Sequence, residues 1–86
     1  MPKKEELLQR LLQKPTDFSV RELDVLMGKC GCEKYQGGRG SVIGYRHRET
    51  DRALQFDAPH PRSELYRYQV KKTIEFLRAI GEIADR

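Results

Sequence analysis

Long apolar runs are missing from this sequence. No stretch approaches the ~18 consecutive apolar residues that span a bilayer, and none near Met1 resembles a secretory leader. A cytoplasmic protein with no membrane partner is therefore expected. Cysteine is scarce: Cys30 and Cys32 are the two present, one glycine apart. That spacing rarely meets disulfide geometry, and two thiols cannot complete a tetrahedral zinc site. Adding His47 and His60, the two histidines of the chain, makes four ligands on paper, but their spacing fits no common zinc finger. No metal and no cofactor is expected, and Cys30 reads as a small buried apolar residue at a helix end.

What remains is a small, polar, basic chain. Its 86 residues make one domain, which buries only roughly 60–65% of its unfolded surface, so the core must come from one face of each element. Hydrophobic residues are 37% and charged residues 35%, enough for a thin two-layer domain. The net charge of +4 is unevenly spread: residues 1–36, 37–72 and 73–86 carry +1, +4 and −1. A basic excess confined to one segment is the footprint of a binder of anionic polymers, although a solvated basic face looks the same in sequence.

Residues 3–14 form an amphipathic helix with Leu7, Leu8, Leu11 and Leu12 in one stripe, stopped by Pro15. Such a helix can pack on the domain or on a partner. Ser19-Val20-Arg21-Glu22 is a capping box behind the hydrophobic Phe18. The helix it opens buries Val20, Leu23, Leu26, Met27 and Cys30 and ends at Gly31. Strands are expected at Cys32 to Gln36, Ser41 to Arg48 and Ala53 to Asp57. In the second, Ile43, Tyr45 and His47 share one face and Val42, Gly44 and Arg46 the other. Gly44 in mid-strand marks a close backbone approach or a bulge. Pro59 and Pro61 stop the sheet, and a last helix runs from Glu64 or Tyr66 to Ile83. It buries Leu65, Val70, Ile74, Leu77 and Ile80 or Gly81, and wets Lys71, Lys72, Glu75 and Arg78. Strands in a run rather than alternating with helices define an α+β fold.

The organising stretch is Gly37-Gly38-Arg39-Gly40-Ser41-Val42-Ile43-Gly44-Tyr45-Arg46-His47. Gly37, Gly38 and Gly40 let a backbone approach a phosphate and Arg39 supplies charge; a plain hairpin entry would look similar. Arg46 and Arg48 follow the loop, and Arg62, Arg67, Lys71 and Lys72 surround the start of the last helix. Together they could track a phosphate backbone, giving affinity and salt sensitivity without reading sequence. Recognition would then go mainly by shape and 2′-hydroxyls, with Tyr66 and Tyr68 either stacking on bases or packing.

These residues resemble the HicA family of bacterial toxins. Gly40-Ser41 opens the family's block and Tyr45-Arg46-His47 closes it. Phe56-Asp57-Ala58-Pro59-His60 stands at its Pro/His turn, and Val70 to Arg78 with Gly81 is similar to its terminal helix. The resemblance covers residues 19–83. It implies an α-β-β-β-α, double-stranded-RNA-binding-domain-like fold, here with an extra N-terminal helix: an extension over 1–15 and the RNA-binding domain over 16–86. It further implies an RNA-binding toxin of a toxin–antitoxin system, a metal-independent mRNA endoribonuclease. mRNA and a cognate HicB-like antitoxin are the implied partners. The block departs from the family at Val42, where the family has the histidine used for cleavage.

Metal-free RNA cleavage needs a group that takes the ribose 2′-hydroxyl proton, and imidazole titrates in the right range. His60, held between two prolines before the basic helix, is the first catalytic candidate, and His47 the weaker one. Arg39, Gly40, Ser41, Arg46, Arg62, Lys71 and Lys72 are the candidate RNA-binding residues, with Arg39, Arg46 and the loop amides suited to stabilise charge on the phosphate. The alternative is a non-catalytic RNA-binding or partner-binding domain of the same fold.

Overall fold

The computed structural model describes residues 3–36 and 42–83. Helix α1 (Lys4–Leu12) has Glu5 and Glu6 in its first turn, where carboxylates complement the helix dipole. It stops ahead of Pro15, and Lys14 turns the chain with a φ of 54°. Leu7 and Leu11, one helical turn apart, are buried in the same core as the rest of the chain. Arg10 ties α1 down, pairing with Glu22 at 2.6 Å and Asp17 at 2.9 Å while lying 5.3 Å from the centroid of the Phe18 ring. The sequence leaves the packing partner of this helix open; Leu7 and Leu11, with Leu8 packed beside them, join the domain's own core, while Leu12 is exposed.

Helix α2 (Val20–Lys29) starts at the expected capping box. The Glu22 amide donates to Ser19 Oγ at 3.1 Å, and the Ser19 amide donates to the Glu22 carboxylate at 3.0 Å. A cap of this kind stabilises by about 1 kcal/mol. Leu23, Leu26, Met27 and Cys30 are buried, and Gly31 leaves the helix with a φ of 81°.

Strands β1 (Cys32–Gln36), β2 (Val42–His47) and β3 (Ala53–Asp57) form an antiparallel sheet in the order β1-β2-β3. Cys32 pairs with His47, Gln36 with Ile43, Val42 with Asp57 and Arg46 with Ala53. Ile43, Tyr45, His47, Leu54 and Phe56 are buried against the helices, whereas Glu33, Arg46, Gln55 and Asp57 on the other face are exposed. Tyr45 donates its hydroxyl to Asp24 of α2. Gly44 makes no bulge, since the register runs through it unbroken. The close approach is that of the Tyr35 ring, whose hydroxyl donates to Gln55 Oε1 at 3.0 Å.

Helix α3 (Arg67–Ala79) is shorter than the sequence suggests. Glu64 does not open it; it forms an extended bridge with Ser19, flanked by Val20 N–H to Ser63 C=O at 2.9 Å and Leu65 N–H to Phe18 C=O at 2.8 Å. At the other end the Glu82 amide bonds back to Leu77 C=O at 2.9 Å and Gly81 takes a φ of 87°, so the chain leaves the helix before Ile83. Val70, Ile74, Leu77 and Leu65 are buried as expected, and Gln69, Thr73 and Phe76 join them. Two polar side chains of α3 satisfy carbonyls of the edge strand β3: Gln69 Nε2 donates to Asp57 at 2.7 Å and Lys72 Nζ to Gln55 at 2.9 Å.

The described residues therefore form an α+β architecture, three helices packed with one antiparallel meander around a single core. Among them, no helix is long and apolar enough to cross a membrane.

Candidate nucleic-acid interface

Two groups of cations among the described residues stand in contrast. Three on and around the sheet are neutralised locally, whereas Arg52 has no ion pair among the described residues. Arg46 pairs with Asp51 at 2.7 Å and Arg48 with Glu33 at 3.2 Å. Lys34 pairs with Asp24 at 3.1 Å.

The second group lies where the α1–α2 connection meets α3. Lys14, Arg62 and Arg67 line one shallow depression floored by Leu65 and Val70. Lys14, Lys71 and Arg78 line its continuation over Leu12 and Ile74, with Glu75 the one acid there. Arg67, Lys71 and Arg78 are four and seven residues apart, which places them on one side of α3 along about 16 Å of helix. Among the described residues, Lys14, Arg67, Lys71 and Arg78 have no ion-pair or side-chain hydrogen-bond partner. The first turn of α3 holds no acid, so Arg67 adds charge at the positive end of the helix dipole. That arrangement costs a few tenths of a kcal/mol in isolation and favours an anion over the same spot.

Arg62 is also built into the fold. Its guanidinium donates to Thr16 C=O at 2.8 Å and Glu64 C=O at 3.0 Å, and lies 5.3 Å from the centroid of the Tyr66 ring. The Tyr66 ring runs parallel to that of Tyr68, within 8° and with centroids 6.2 Å apart. The Tyr66 hydroxyl donates to the His60 carbonyl at 2.9 Å.

The two histidines are far apart. His60 is exposed and follows β3 at the sheet end where Asp57 pairs with Val42. His47 sits at the opposite end of β2, five residues from Val42, on the order of 16 Å at ~3.3 Å per residue. It is only 7% exposed, and its Nδ1 hydrogen-bonds with Thr50 Oγ1 at 2.8 Å. These two imidazoles cannot share one acid–base site, and His47 is a packed part of the β2–β3 turn.

Of the sequence-derived candidates, Arg62 and Lys71 belong to the depression beside α3, Lys72 and His60 lie by β3, and Arg46 and His47 lie at the other end of β2. Lys72 turns its ammonium to the Gln55 carbonyl. Arg39, Gly40 and Ser41 lie outside the described residues. Their flanking positions, Gln36 and Val42, stand at the His60 end of the sheet. Lys14 and Arg78, which are not among the sequence-derived candidates, also stand on this face. Arg78 had a signal in its helical spacing from Arg67 and Lys71; Lys14 had none.

Three other groups are chemically quiet. The Cys30 thiol is pushed up to about 12 by burial, with Glu82 adding to it, and burial raises Cys32 too. Both are free and buried. Burial, then the bond to Asp24, raises the Tyr45 phenol. Among the described residues no group of three or more His, Cys, Asp or Glu side chains is placed to hold a metal ion. Comparison with protein-family models, curated proteins and solved structures finds no significant match to this chain.

Proposed function

We propose that this protein binds RNA through the face made by Lys14, Arg62, Arg67, Lys71 and Arg78. The observation that carries this reading is the convergence of Lys14, Arg67, Lys71 and Arg78, from two segments distant in sequence, without acidic partners among the described residues. Phosphate contacts by such cations release counterions and make binding steeply salt-dependent. The succession α2-β1-β2-β3-α3 agrees with a double-stranded-RNA-binding-domain-like fold and with the HicA resemblance.

The test is the slope of log affinity against log salt for an RNA strand. Arg67→Ala and Lys71→Ala should each lower the slope by about one. Arg46→Ala, whose guanidinium is already paired, should leave it nearly unchanged. Equal effects of Arg46→Ala and Lys71→Ala would place the contact elsewhere.

A second reading, cleavage of the bound RNA as a HicA-like toxin restrained by an antitoxin, is favoured by the position of His60. It is exposed at the sheet end shared with Val42 and with the start of α3. Since Val42 carries no proton, His60 is the base this reading requires. Growth arrest on induction of the chain alone, relieved by its genomic neighbour, tests it.

A further inference from the structure

We propose that Tyr68 is a stacking platform for one unstacked base of a single-stranded RNA, so that the basic face prefers strands and loops over continuous duplex. This rests on the RNA-binding reading above and names the form of RNA taken.

Tyr68 is 58% exposed, although the other large apolar side chains of its helix, Val70, Ile74, Phe76 and Leu77, are buried. Leu12 and Tyr68 are the exposed large hydrophobic side chains among the described residues. A protein partner docking on an apolar stripe would need several such anchors; a lone aromatic ring set among cations suits a base flanked by phosphates. Arg67 is adjacent in the chain, and Lys71 and Lys72 are three and four residues on, the spacing of neighbours on a helix surface.

The ring is also held in place beforehand. Gln69, itself fully buried, has its Nε2 3.4 Å from the Tyr68 hydroxyl, while the same amide is anchored on Asp57. Parallel to Tyr68 stands Tyr66, fixed by its hydroxyl bond to His60 C=O and by Arg62 near its ring. A preplaced ring loses little freedom when a base settles on it. In a continuous duplex the base faces are already stacked on one another, so the platform selects unpaired bases.

A short uridine-rich RNA strand carrying one fluorescent adenine analogue, and a hairpin duplex of matched length, are the probes. The wild-type chain should bind the strand more tightly than the duplex at equal salt and quench the analogue. Tyr68→Ala should weaken strand binding by about ten-fold and abolish the quenching, with duplex binding and the salt slope unchanged. Tyr68→Phe, which keeps the ring but loses the hydroxyl contact to Gln69, should keep the quenching and most of the strand affinity, and guards against a loss that reflects only altered folding. If Tyr68→Ala binds and quenches like wild type while binding stays salt-dependent, the platform is refuted and the RNA-binding reading stands. If the wild-type chain shows no salt-dependent binding to either probe, both fall.

Discussion

The ring of Tyr35 occupies the space a β-carbon on Gly44 would need: its Cε2 lies 2.7 Å and its hydroxyl oxygen 2.8 Å from that position. This cross-strand pair closes the outer face of the sheet at its centre. Gly44→Ala must displace the ring and break its bond to Gln55, and should cost about 1 kcal/mol by urea denaturation. In a Tyr35→Ala background the obstacle is gone, and the same change should stabilise by about 0.5 kcal/mol, since alanine loses less backbone freedom in a strand. An equal loss in both backgrounds would show that the ring is not the cause.

His47 and His60 should separate cleanly. His47→Ala removes a buried ring and its bond to Thr50, and should cost about 1–3 kcal/mol. His60→Ala removes an exposed ring and should stay within about 0.5 kcal/mol. If the chain cleaves RNA, His60→Ala should lower the rate by about 10²–10⁴ with binding nearly intact. Equal cleavage by wild type and His60→Ala would remove His60 from the chemistry. If wild type is inactive and Val42→His confers cleavage, the natural protein is a binder without its catalyst.

Stability should fall in alkali. Cys30 is raised by burial from an ordinary value near 9 to about 12, so the folded state holds a proton that the unfolded chain releases first. Its contribution is complete below about pH 9 and is lost as pH rises towards 12, with a slope of at most about 1.4 kcal/mol per pH unit for this proton. Tyr45, also raised, adds loss of the same sign once pH passes 10.0. Under reducing conditions, Cys30→Ala should flatten the first part of this decline. An unchanged profile would mean that the thiol is not the titrating group.

Gln69 ties the N-cap of α3 to strand β3. Its oxygen accepts the Tyr66 amide at 2.9 Å, and its nitrogen donates to the Asp57 carbonyl at 2.7 Å. Gln69→Leu would strand both groups and should cost about 2–3 kcal/mol in thermal or urea unfolding. Lys72→Met removes a solvent-exposed bond to Gln55 and should cost less than about 1 kcal/mol. A Gln69→Leu variant as stable as wild type would show that water replaces these bonds.

The sequence by itself determined what short-range physics controls. The capping box of Ser19 and Glu22, the bounds of β1 and β3, the burial of Ile43, Tyr45 and His47 on one face, and the left-handed Gly31 each follow from a few neighbouring residues. So does the apolar side of α3, because helical spacing alone sets it. Tertiary structure decided the rest. Charge counting made the whole central segment basic, but Arg46 and Arg48 are quenched by Glu33 and Asp51 once β1, β2 and the turn close. Lys14 belongs to an early segment of near-neutral charge and joins the cationic face only because α1 packs Leu7 and Leu11 into the common core and delivers the following turn to α3. Glu64 and Gln69 read as ordinary helix residues, yet one bridges to Ser19 and the other is buried between Tyr66 and Asp57. A hydrogen bond or ion pair between distant segments leaves no periodicity in the chain, so its energy becomes visible only when folding brings the partners together.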